Sequence, residues 1–378
     1  MYDTDVLVIG AGPTGLALAA SLVARGVTTT VVDQQAVGAN TSRAAVVNAR
    51  TLEVLEDLDV SRRLVKEGVE APRFTIRDRG RTLIPIDFSG LPTEYPYSLM
   101  VPQSTTERLL LERLEELGGF VQRPRSVTAI DQDPDGVTAT FEDGDVIRAR
   151  YVVGADGIRS IARQQAGIDF EGSVYDESFV LADVKLTGDA PHDQVILYWA
   201  TAGLTVVAPL PDGTYRIVAP VADAPEAPSA EFVQQILDTR VGADRLEVTA
   251  VIWGSRFRVH HRVADTFRAG RLLLAGDAAH VHSPAGGQGM NLGIQDAVAL
   301  AHALAAVLDG APDSLLDEYS DTRRPIAKDV VAMTDRLTRL ATLPRAARPV
   351  RNAVIGLAGR VPSIRLALAR RLSGLVYR

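Results

Sequence analysis

The chain has 378 residues, 46% of them hydrophobic and 23% charged, which is the composition of a globular protein with a sizeable core. It contains no cysteine, so disulfides, cysteine–zinc sites, iron–sulfur clusters and a thiol nucleophile are excluded. The net charge of -7 argues against non-specific nucleic-acid binding, and the sequence shows no apolar run of about 18 residues that would predict a transmembrane helix. We therefore expect a soluble, cytoplasmic protein, monomeric or homodimeric, with two interleaved domains.

Charge is distributed unevenly along the sequence. The segment from Arg336 to Arg378 contains ten arginines and no acidic residue, so the body that precedes it is strongly acidic. A basic end on an acidic body most often pairs with that body, and contact with a membrane or a partner is the less favoured interpretation.

The N-terminal region predicts alternating strands and helices. The apolar run Asp5–Ile9 is typical of a strand that is buried on both faces. Thr14–Arg25 has apolar residues at helical spacing, and Gly26 predicts the end of that helix. The β-branched run Thr28–Asp33 predicts a second strand, and another helix is predicted over Asn48–Leu58. This order of elements is typical of a dinucleotide-binding fold.

A second, sheet-rich unit is predicted to interrupt this fold. Arg73–Phe88 holds two short alternating runs around Arg79-Gly80, as in a hairpin. Ser173–His261 is mostly strand-like, with turn signals between the runs. Alternating strands with one face in water favour an antiparallel sheet.

Other elements belong with the first unit. A helix is predicted over Ser104–Leu117, with Ser104 and Glu107 as a possible capping box. Arg271–Gly276 is again a buried-strand run, and long helical patterns follow it to the end of the chain. The dinucleotide-type fold is therefore expected to resume after the sheet.

The stretch Gly10–Gly15 reads G-x-G-x-x-G, follows a strand and opens a helix, and Asp33 ends the next strand. The glycines permit a tight turn whose backbone N–H groups approach a pyrophosphate, and the carboxylate accepts hydrogen bonds from a ribose. This pattern predicts dinucleotide binding but leaves NAD and FAD unresolved. The residues assigned to the nucleotide on this ground are Gly10, Gly12, Pro13, Thr14, Gly15 and Asp33.

Two further strand ends deliver aspartates. The strand that begins at Tyr151 runs into Gly154-Ala155-Asp156-Gly157. The strand Arg271–Gly276 delivers Asp277 at its carboxyl end, which is where ligands of open α/β sheets bind.

In this order, the three motifs resemble those of the single-component FAD-dependent aromatic hydroxylases, which have the para-hydroxybenzoate hydroxylase fold. Gly10–Gly15 is similar to the first family motif, Asp156-Gly157 to the DG motif and Gly276-Asp277 to the GD motif. The sequence from Gly276 to Ala297 is most similar to the sequences of the branch that acts on phenols and aromatic polyketides. The resemblance covers nearly the whole chain and is to the family without the C-terminal thioredoxin-like domain into which many relatives continue.

The resemblance implies an α/β fold in which a Rossmann-like FAD-binding domain is interrupted by a mainly antiparallel substrate domain and followed by C-terminal helices. The expected boundaries are 1–72, 98–172 and 263–340 for the three parts of the FAD-binding domain, 73–97 for the substrate-domain hairpin, 173–262 for the substrate-binding sheet, and 341–378 for a basic helical segment.

The resemblance also implies roles for cofactor-binding residues. Asp33 would bind the adenosine ribose, Arg43 would face the pyrophosphate region, and Gln103 would contact the cofactor from the start of a helix. Asp156 would lie near the cofactor and be linked to NAD(P)H use, and Asp277 would hold the ribityl chain.

Further residues are expected around the flavin ring and the substrate. Pro284 would line the side of the ring where O2 reacts, and Arg50 would approach the ring. The pyrimidine edge, where negative charge develops on reduction, would meet the start of a helix at Gly289, Met290 and Asn291. Candidate substrate contacts from the sheet are Phe179, Tyr198, Trp199 and Tyr215, with core packing equally open for each.

The implied activity is that of an FAD-dependent monooxygenase. NADPH or NADH would reduce the flavin, O2 would add at C4a, and the distal oxygen of the hydroperoxyflavin would pass to an aromatic, phenolic or polyketide-type substrate. An FAD-dependent dehydrogenase or reductase on the same fold remains an alternative, as does a non-catalytic flavin-binding protein.

Two details of the third motif stay open or are set aside. Ser283, directly before Pro284, stands at a position where this branch more usually has proline, and the role of the Ser283 hydroxyl is open. His280 and His282 are spaced as H-x-H, but no third ligand at suitable spacing is evident, so no metal is expected. His260 and His261 are interpreted as structural.

Overall fold

A computed structural model describes residues 1–38, 44–242, 245–284 and 286–378. For residues 174–177, 258 and 259 only the backbone is described. The strands, in chain order, are β1 Thr4–Ile9, β2 Thr29–Val32, β3 Val46–Val47, β4 Val69–Ala71, β5 Arg73–Asp78, β6 Arg81–Asp87, β7 Ser98–Met100, β8 Val121–Gln122, β9 Val127–Gln132, β10 Val137–Phe141, β11 Val146–Gly154, β12 Phe170–Gly188, β13 Gln194–Ala200, β14 Gly203–Pro209, β15 Thr214–Val221, β16 Leu246–Ala264, β17 Arg268–Ala269, β18 Leu272–Leu274 and β19 His280–Val281. The α-helices are α1 Pro13–Val23, α2 Ala49–Val54, α3 Ser61–Glu67, α4 Gln103–Glu116, α5 Ile161–Gln165, α6 Ala230–Arg240, α7 Gly289–Leu308, α8 Ser314–Thr342, α9 Arg348–Ala358 and α10 Pro362–Leu372.

The first sheet is the predicted nucleotide-binding sheet. Its strand order is β17-β18-β11-β1-β2-β8, and the pairs of β1 with β2 and β11, of β11 with β18 and of β2 with β8 are parallel. The central side chains Val6, Leu7 and Val8 of β1 and Val152 and Val153 of β11 have no solvent exposure, as expected for strands covered on both faces. Helix α1 packs against α4 and α7 on this sheet. The predicted α/β fold class is confirmed.

The second sheet has the order β19-β16-β12-β15-β14-β13-β5-β6. Its neighbours are antiparallel except for β13 and β5, which run parallel because the hairpin β5–β6 enters from a distant part of the chain. The hairpin predicted over Arg73–Phe88 therefore forms one edge of the sheet predicted over Ser173–His261. A small third sheet joins β7 to β3 and β4.

The expectation that this sheet keeps one face in water is wrong. Helix α6 was not predicted from the sequence. It covers the face of the sheet opposite the cavity described below. Its Val233 and Leu237 pack in one core with Ile196 and Ile217 of the sheet. Ser229 caps the helix by accepting from the N–H of Phe232 at 3.2 Å. One face of the sheet therefore packs under α6 and the other lines the cavity, so strand alternation here separates a hydrophobic core from the cavity wall.

Two predicted helices also need correction. The capping box of Ser104 and Glu107 is wrong, because α4 begins at Gln103 with Pro102 as its N-cap and no side-chain cap. Glu107 instead accepts from Gln103 Nε2 at 2.8 Å, and burial raises the pKa of its carboxyl. The helix predicted over Asn48–Leu58 is α2 followed by a separate turn of 3₁₀ helix, with the Asn48 side chain accepting from Thr51 N at 2.9 Å.

Helix α7 is long and apolar enough to cross a membrane by length and composition. However, 61% of its most apolar 18-residue stretch is buried inside the protein, as in the central helix of a core. Its Leu292, Ile294, Ala297 and Leu300 belong to the main hydrophobic cluster.

The basic C-terminal segment pairs with the body, in line with the favoured interpretation. Arg371 of α10 forms an ion pair with Asp329 of α8, and Arg378 forms one with Glu53. Arg351 of α9 is buried, and its Nη2 donates to the carbonyl of Trp199 at 3.0 Å. These contacts hold α9 against the second sheet and α10 against the middle of α8.

Candidate active site

The glycine turn after β1 is built by close approach of two chains. Gly10 has φ +102°, and a Cβ there would overlap the backbone of Ala155 at the end of β11. The carboxylate of Asp33 accepts from Ala11 N at 2.7 Å and from Gln35 N at 2.8 Å. Asp33 thus braces the turn from the end of β2. Its predicted contact with an adenosine ribose stays a prediction.

The third motif packs directly on the first. Gly276 has φ +61°, and a Cβ there would lie 2.5 Å from the Thr14 hydroxyl on α1. A Cβ on Gly293 of α7 would overlap the same hydroxyl. Glycine is therefore required where α1, the turn after β18 and α7 meet. Asp277 follows with its side chain exposed to a large cavity.

Asp156 of the second motif turns the chain from β11 into α5. Its Oδ2 accepts from the backbone N–H groups of Ile161 and Ala162 at 2.7 and 3.3 Å. Burial raises the pKa of this carboxyl. Asp156 lines the same cavity as Asp277, so the three motifs converge at the carboxyl ends of β1, β11 and β18.

The cavity has a volume of about 1310 Å³ and extends from the glycine turn to the second sheet. The predicted residues that line it are Gly12, Pro13, Thr14, Gln103, Asp156, Phe179, Trp199, Asp277, Pro284, Gly289 and Met290. The other described candidates stand behind this lining; they are Gly10, Gly15, Asp33, Arg50, Tyr198, Tyr215, Gly276 and Asn291. Arg43 lies outside the described residues.

Strand alternation decides which aromatic candidates reach the cavity. On β13, Val195, Leu197 and Trp199 line it, whereas Ile196 and Tyr198 point to the core under α6. The same alternation on β15 sends Tyr215 to that core, where its hydroxyl lies 3.0 Å from His192 Nδ1. Phe179 and Trp199 are therefore the two of these aromatic residues that line the cavity, and their contact with a substrate stays a prediction.

Asn291 and Arg50 lie outside the cavity lining and make contacts with the elements around it. The Asn291 side chain accepts from Asn48 N at 2.8 Å and donates to the carbonyls of Val46 and Gly287 at 2.8 and 2.7 Å. It thereby ties the start of α7 to the segment before α2. Arg50 forms an ion pair of 3.1 Å with Glu53, and its backbone N–H donates to Ser373 O, so its side chain is engaged away from the cavity.

The loop between β19 and α7 has its own fastenings. His282 Nδ1 lies 2.8 Å from the carbonyl of Ser283, a contact that requires Nδ1 to carry the proton. Burial lowers the pKa of His282 to about 4, and neighbouring His280 contributes to the decrease. The Ser283 hydroxyl is buried and hydrogen-bonded to Thr338 of α8 at 2.7 Å. The described residues contain no cluster of side chains suited to a metal ion.

A buried charge network behind this loop was not identified from the sequence. His280 Nε2 lies 2.5 Å from Asp296 Oδ2, and Arg323 Nε donates to Asp296 Oδ1 at 2.7 Å. Although burial alone raises the pKa of Asp296, Arg323 and His280 together lower it. The network joins β19, α7 and α8. His280 and Asp296 both lie in the third motif, but Arg323 carries no local signal of its partner.

The cavity fits a flavin dinucleotide. Helix α1 begins at Pro13 after Gly12 and α7 begins at Gly289, and neither start has a side-chain cap. A Cβ on Gly12 would meet no atom within 4 Å, so its backbone is open to the cavity. Uncapped helix N-termini present N–H groups and partial positive charge to phosphates and to an electron-rich ring edge.

Comparison with known proteins identifies the family. Residues 3–334 match the sequence family described as FAD binding domain. A 12-dehydrotetracycline 5-monooxygenase/anhydrotetracycline 6-monooxygenase from Streptomyces rimosus is 39% identical over 348 residues, covering 87% of this chain and 68% of that protein. The chain belongs to the FAD-dependent aromatic monooxygenases.

Solved structures agree with this placement. The monooxygenase matches the anhydrotetracycline hydroxylase OxyS from Streptomyces rimosus with a TM-score of 0.81 and 38% identity, over 98% of this chain and 76% of that one. It matches the p-nitrophenol 4-monooxygenase PnpA from Pseudomonas putida DLL-E4 with a TM-score of 0.85 and 28% identity, over 99% of both chains. The predicted family and FAD as cofactor are confirmed.

Proposed function

We propose that this monooxygenase uses NAD(P)H and O2 to hydroxylate a phenolic or polyketide-type aromatic compound through a C4a-hydroperoxyflavin. The observation that carries the proposal is the convergence of all three motifs on one cavity whose far wall is an apolar sheet. One oxygen atom enters the product and the other leaves as water, with NAD(P)H supplying two electrons. Bound FAD supplies this redox chemistry, while the protein binds, orients and excludes water.

The nucleotide end of the cavity provides the binding groups. The backbone of Gly12 and the start of α1 would hold the pyrophosphate, and Asp277 would accept hydrogen bonds from the ribityl chain. Residues Gly289 and Met290 at the start of α7 would face the pyrimidine edge of the ring. A helix N-terminus stabilises negative charge there by about 0.3–1 kcal/mol when exposed and by more when partly buried. Asp156 is assigned to the approach of NAD(P)H.

The sheet end of the cavity provides an apolar wall. Alternate residues of β5, β13 and β14 line it, including Ile76, Leu197 and Val206, with Phe179 and Trp199 as flat aromatic surfaces. Burial of apolar ligand surface contributes about 25 cal/mol per Å², so an extended aromatic ring system is favoured over a small polar ligand. Pro284, at the other side of the cavity, would line the face of the ring where O2 reacts.

Turnover in air tests the proposal. FAD-loaded protein should oxidise NADPH or NADH faster when a reactive phenol or aromatic polyketide is added, and ¹⁸O from O2 should appear in the product. Stopped-flow mixing of the reduced protein with O2 should show a transient C4a-hydroperoxyflavin spectrum. Reduction without oxygen-derived product would instead favour a dehydrogenase or reductase, and flavin binding without any reduction would favour a non-catalytic flavin-binding protein.

A variant tests the cofactor assignment separately. Asp277→Ala should retain less FAD after gel filtration, because the ribityl hydroxyls lose an acceptor. Asp317→Ala, at an exposed acidic side chain on α8, is the matched control. Full FAD occupancy of Asp277→Ala would show that the ribityl assignment is wrong.

A further inference from the structure

Ser283 connects the loop before α7 to helix α8. Its side chain is fully buried, and its hydroxyl lies 2.7 Å from that of Thr338, which is 55 residues away on α8. Thr338 is also within 2.8 Å of the carbonyl of Thr334, so the helix fixes its hydroxyl. Ser283 and Thr338 both line the cavity.

The two ends of this hydrogen bond belong to different walls. On the Ser283 side, the loop carries Pro284 and turns into α7 through a hydrogen bond of 2.9 Å from Gly287 N to Pro284 O. On the Thr338 side, Leu337 and Ala341 of the same helix line the cavity beside the second sheet. The bond therefore joins the loop that carries Pro284 to the face of α8 that lines the cavity.

Serine at this position exchanges one kind of rigidity for another. A proline has a fixed φ near -65° and no hydroxyl, so it stiffens a loop without a partner. Serine leaves the backbone free to rotate, and a hydrogen bond to a neighbouring element must restrict it instead. Here α8 supplies such a hydrogen bond through Thr338, which links the loop to the face of α8 that lines the cavity.

We propose that Ser283 and Thr338 form a positioning pair that holds the loop carrying Pro284 in a fixed position relative to the face of α8 that lines the cavity. The inference rests on the proposed function. When the pair is intact, NAD(P)H, a proton, O2 and the aromatic substrate give hydroxylated product, water and NAD(P)+. When it is broken, the same reductant, proton and O2 give NAD(P)+ and hydrogen peroxide without product.

A double-mutant cycle in FAD affinity tests the pair without turnover. Ser283→Ala and Thr338→Val should each raise the FAD dissociation constant by up to about fivefold, the upper limit set by one net hydrogen bond. The double variant should lose less affinity than the sum of the two single variants, because the hydrogen bond that they share is lost only once. Thr342→Val is the matched control: Thr342 also lines the cavity from α8, but its hydroxyl bonds to Thr338 O within the helix. It should change FAD affinity by less than about twofold.

Coupling between NAD(P)H oxidation and product formation tests the consequence for catalysis. With a phenol that the parent protein hydroxylates, Ser283→Ala and Thr338→Val should raise the hydrogen peroxide fraction to a similar extent while KM for NAD(P)H stays within about twofold. Ser283→Thr keeps the hydroxyl and should restore coupling, whereas Ser283→Pro should not. The rescue separates positioning from a general loss of folding.

Several results would overturn the pairing. Additive losses of FAD affinity in the double variant would mean that the two hydroxyls act independently. An equal effect of Thr342→Val would mean that any cavity-side hydroxyl on α8 matters. Unchanged FAD affinity and coupling in both single variants would show that the hydrogen bond has no positioning role. If the parent protein oxidised no NAD(P)H, the proposed function would fail while the affinity cycle still decided whether the pair exists.

Discussion

The neutral imidazole of His282, which is half-buried in the cavity wall, makes the stability of the monooxygenase sensitive to acid. Its pKa is about 4 in the folded protein, against 6.5 in an unfolded chain, chiefly because burial disfavours the charged form. Between these values the unfolded chain binds a proton that the folded protein excludes, so stability falls as pH decreases from about 6.5 to about 4. Linkage gives a cost of about 0.2 kcal/mol at pH 7 and about 2 kcal/mol at pH 5.

His282→Asn should remove this dependence while keeping the local hydrogen bond, because the Asn amide can donate to Ser283 O as Nδ1 does. The free energy of unfolding is measured by urea titration of FAD-saturated protein at pH 7 and pH 5. The parent should lose about 2 kcal/mol more than the variant over this interval, since the other titrating groups are common to both. His192→Asn, at an exposed position, is the control and should follow the parent. Equal losses in parent and His282→Asn would refute a neutral His282.

Further substitutions test three separate parts of the fold. Gly293→Ala should lower FAD retention and the melting temperature by forcing the new Cβ onto the Thr14 hydroxyl, and adding Thr14→Ala should recover part of both. Asp296→Asn should cost about 3–5 kcal/mol in urea unfolding, because it leaves a buried arginine without its carboxylate partner. Trp199→Ala should weaken aromatic ligand binding more than it lowers stability, and Tyr198→Ala should do the reverse; calorimetry of both variants would show whether the two faces differ in this way.

The parts of the molecule that could be predicted from sequence are those whose signal is local. The turns at Gly10–Gly15 and at Gly276 can be predicted from the local pattern of a buried strand followed by glycine, although the groups that require glycine there, Ala155 and Thr14, are distant in sequence. The hairpin β5–β6 is announced by two alternating runs around one turn. These features depend on contacts that are close in sequence or on strand ends that a single sheet brings together.

What could not be predicted depends on partners far away in the sequence. The predicted capping box failed because α4 begins at Gln103, whose N–H donates to Ala44 O and whose Oε1 accepts from Ala44 N, 59 residues earlier in the chain. Which face of β13 points to the cavity follows only from where α6 packs, and this decides between Tyr198 and Trp199. The open question of Ser283 required Thr338, which no spacing rule connects to it.

The alternation along β13 also bears on how such an enzyme can change during evolution. Substitutions at Leu197 or Trp199 alter the ligand wall, whereas those at Ile196 or Tyr198 alter the core under α6. New substrate preferences can therefore accumulate at every second residue while the intervening ones preserve folding. A single-residue insertion within the strand would exchange the two sets, so point substitution is the accessible route to a new specificity and length change is a route to loss of the fold.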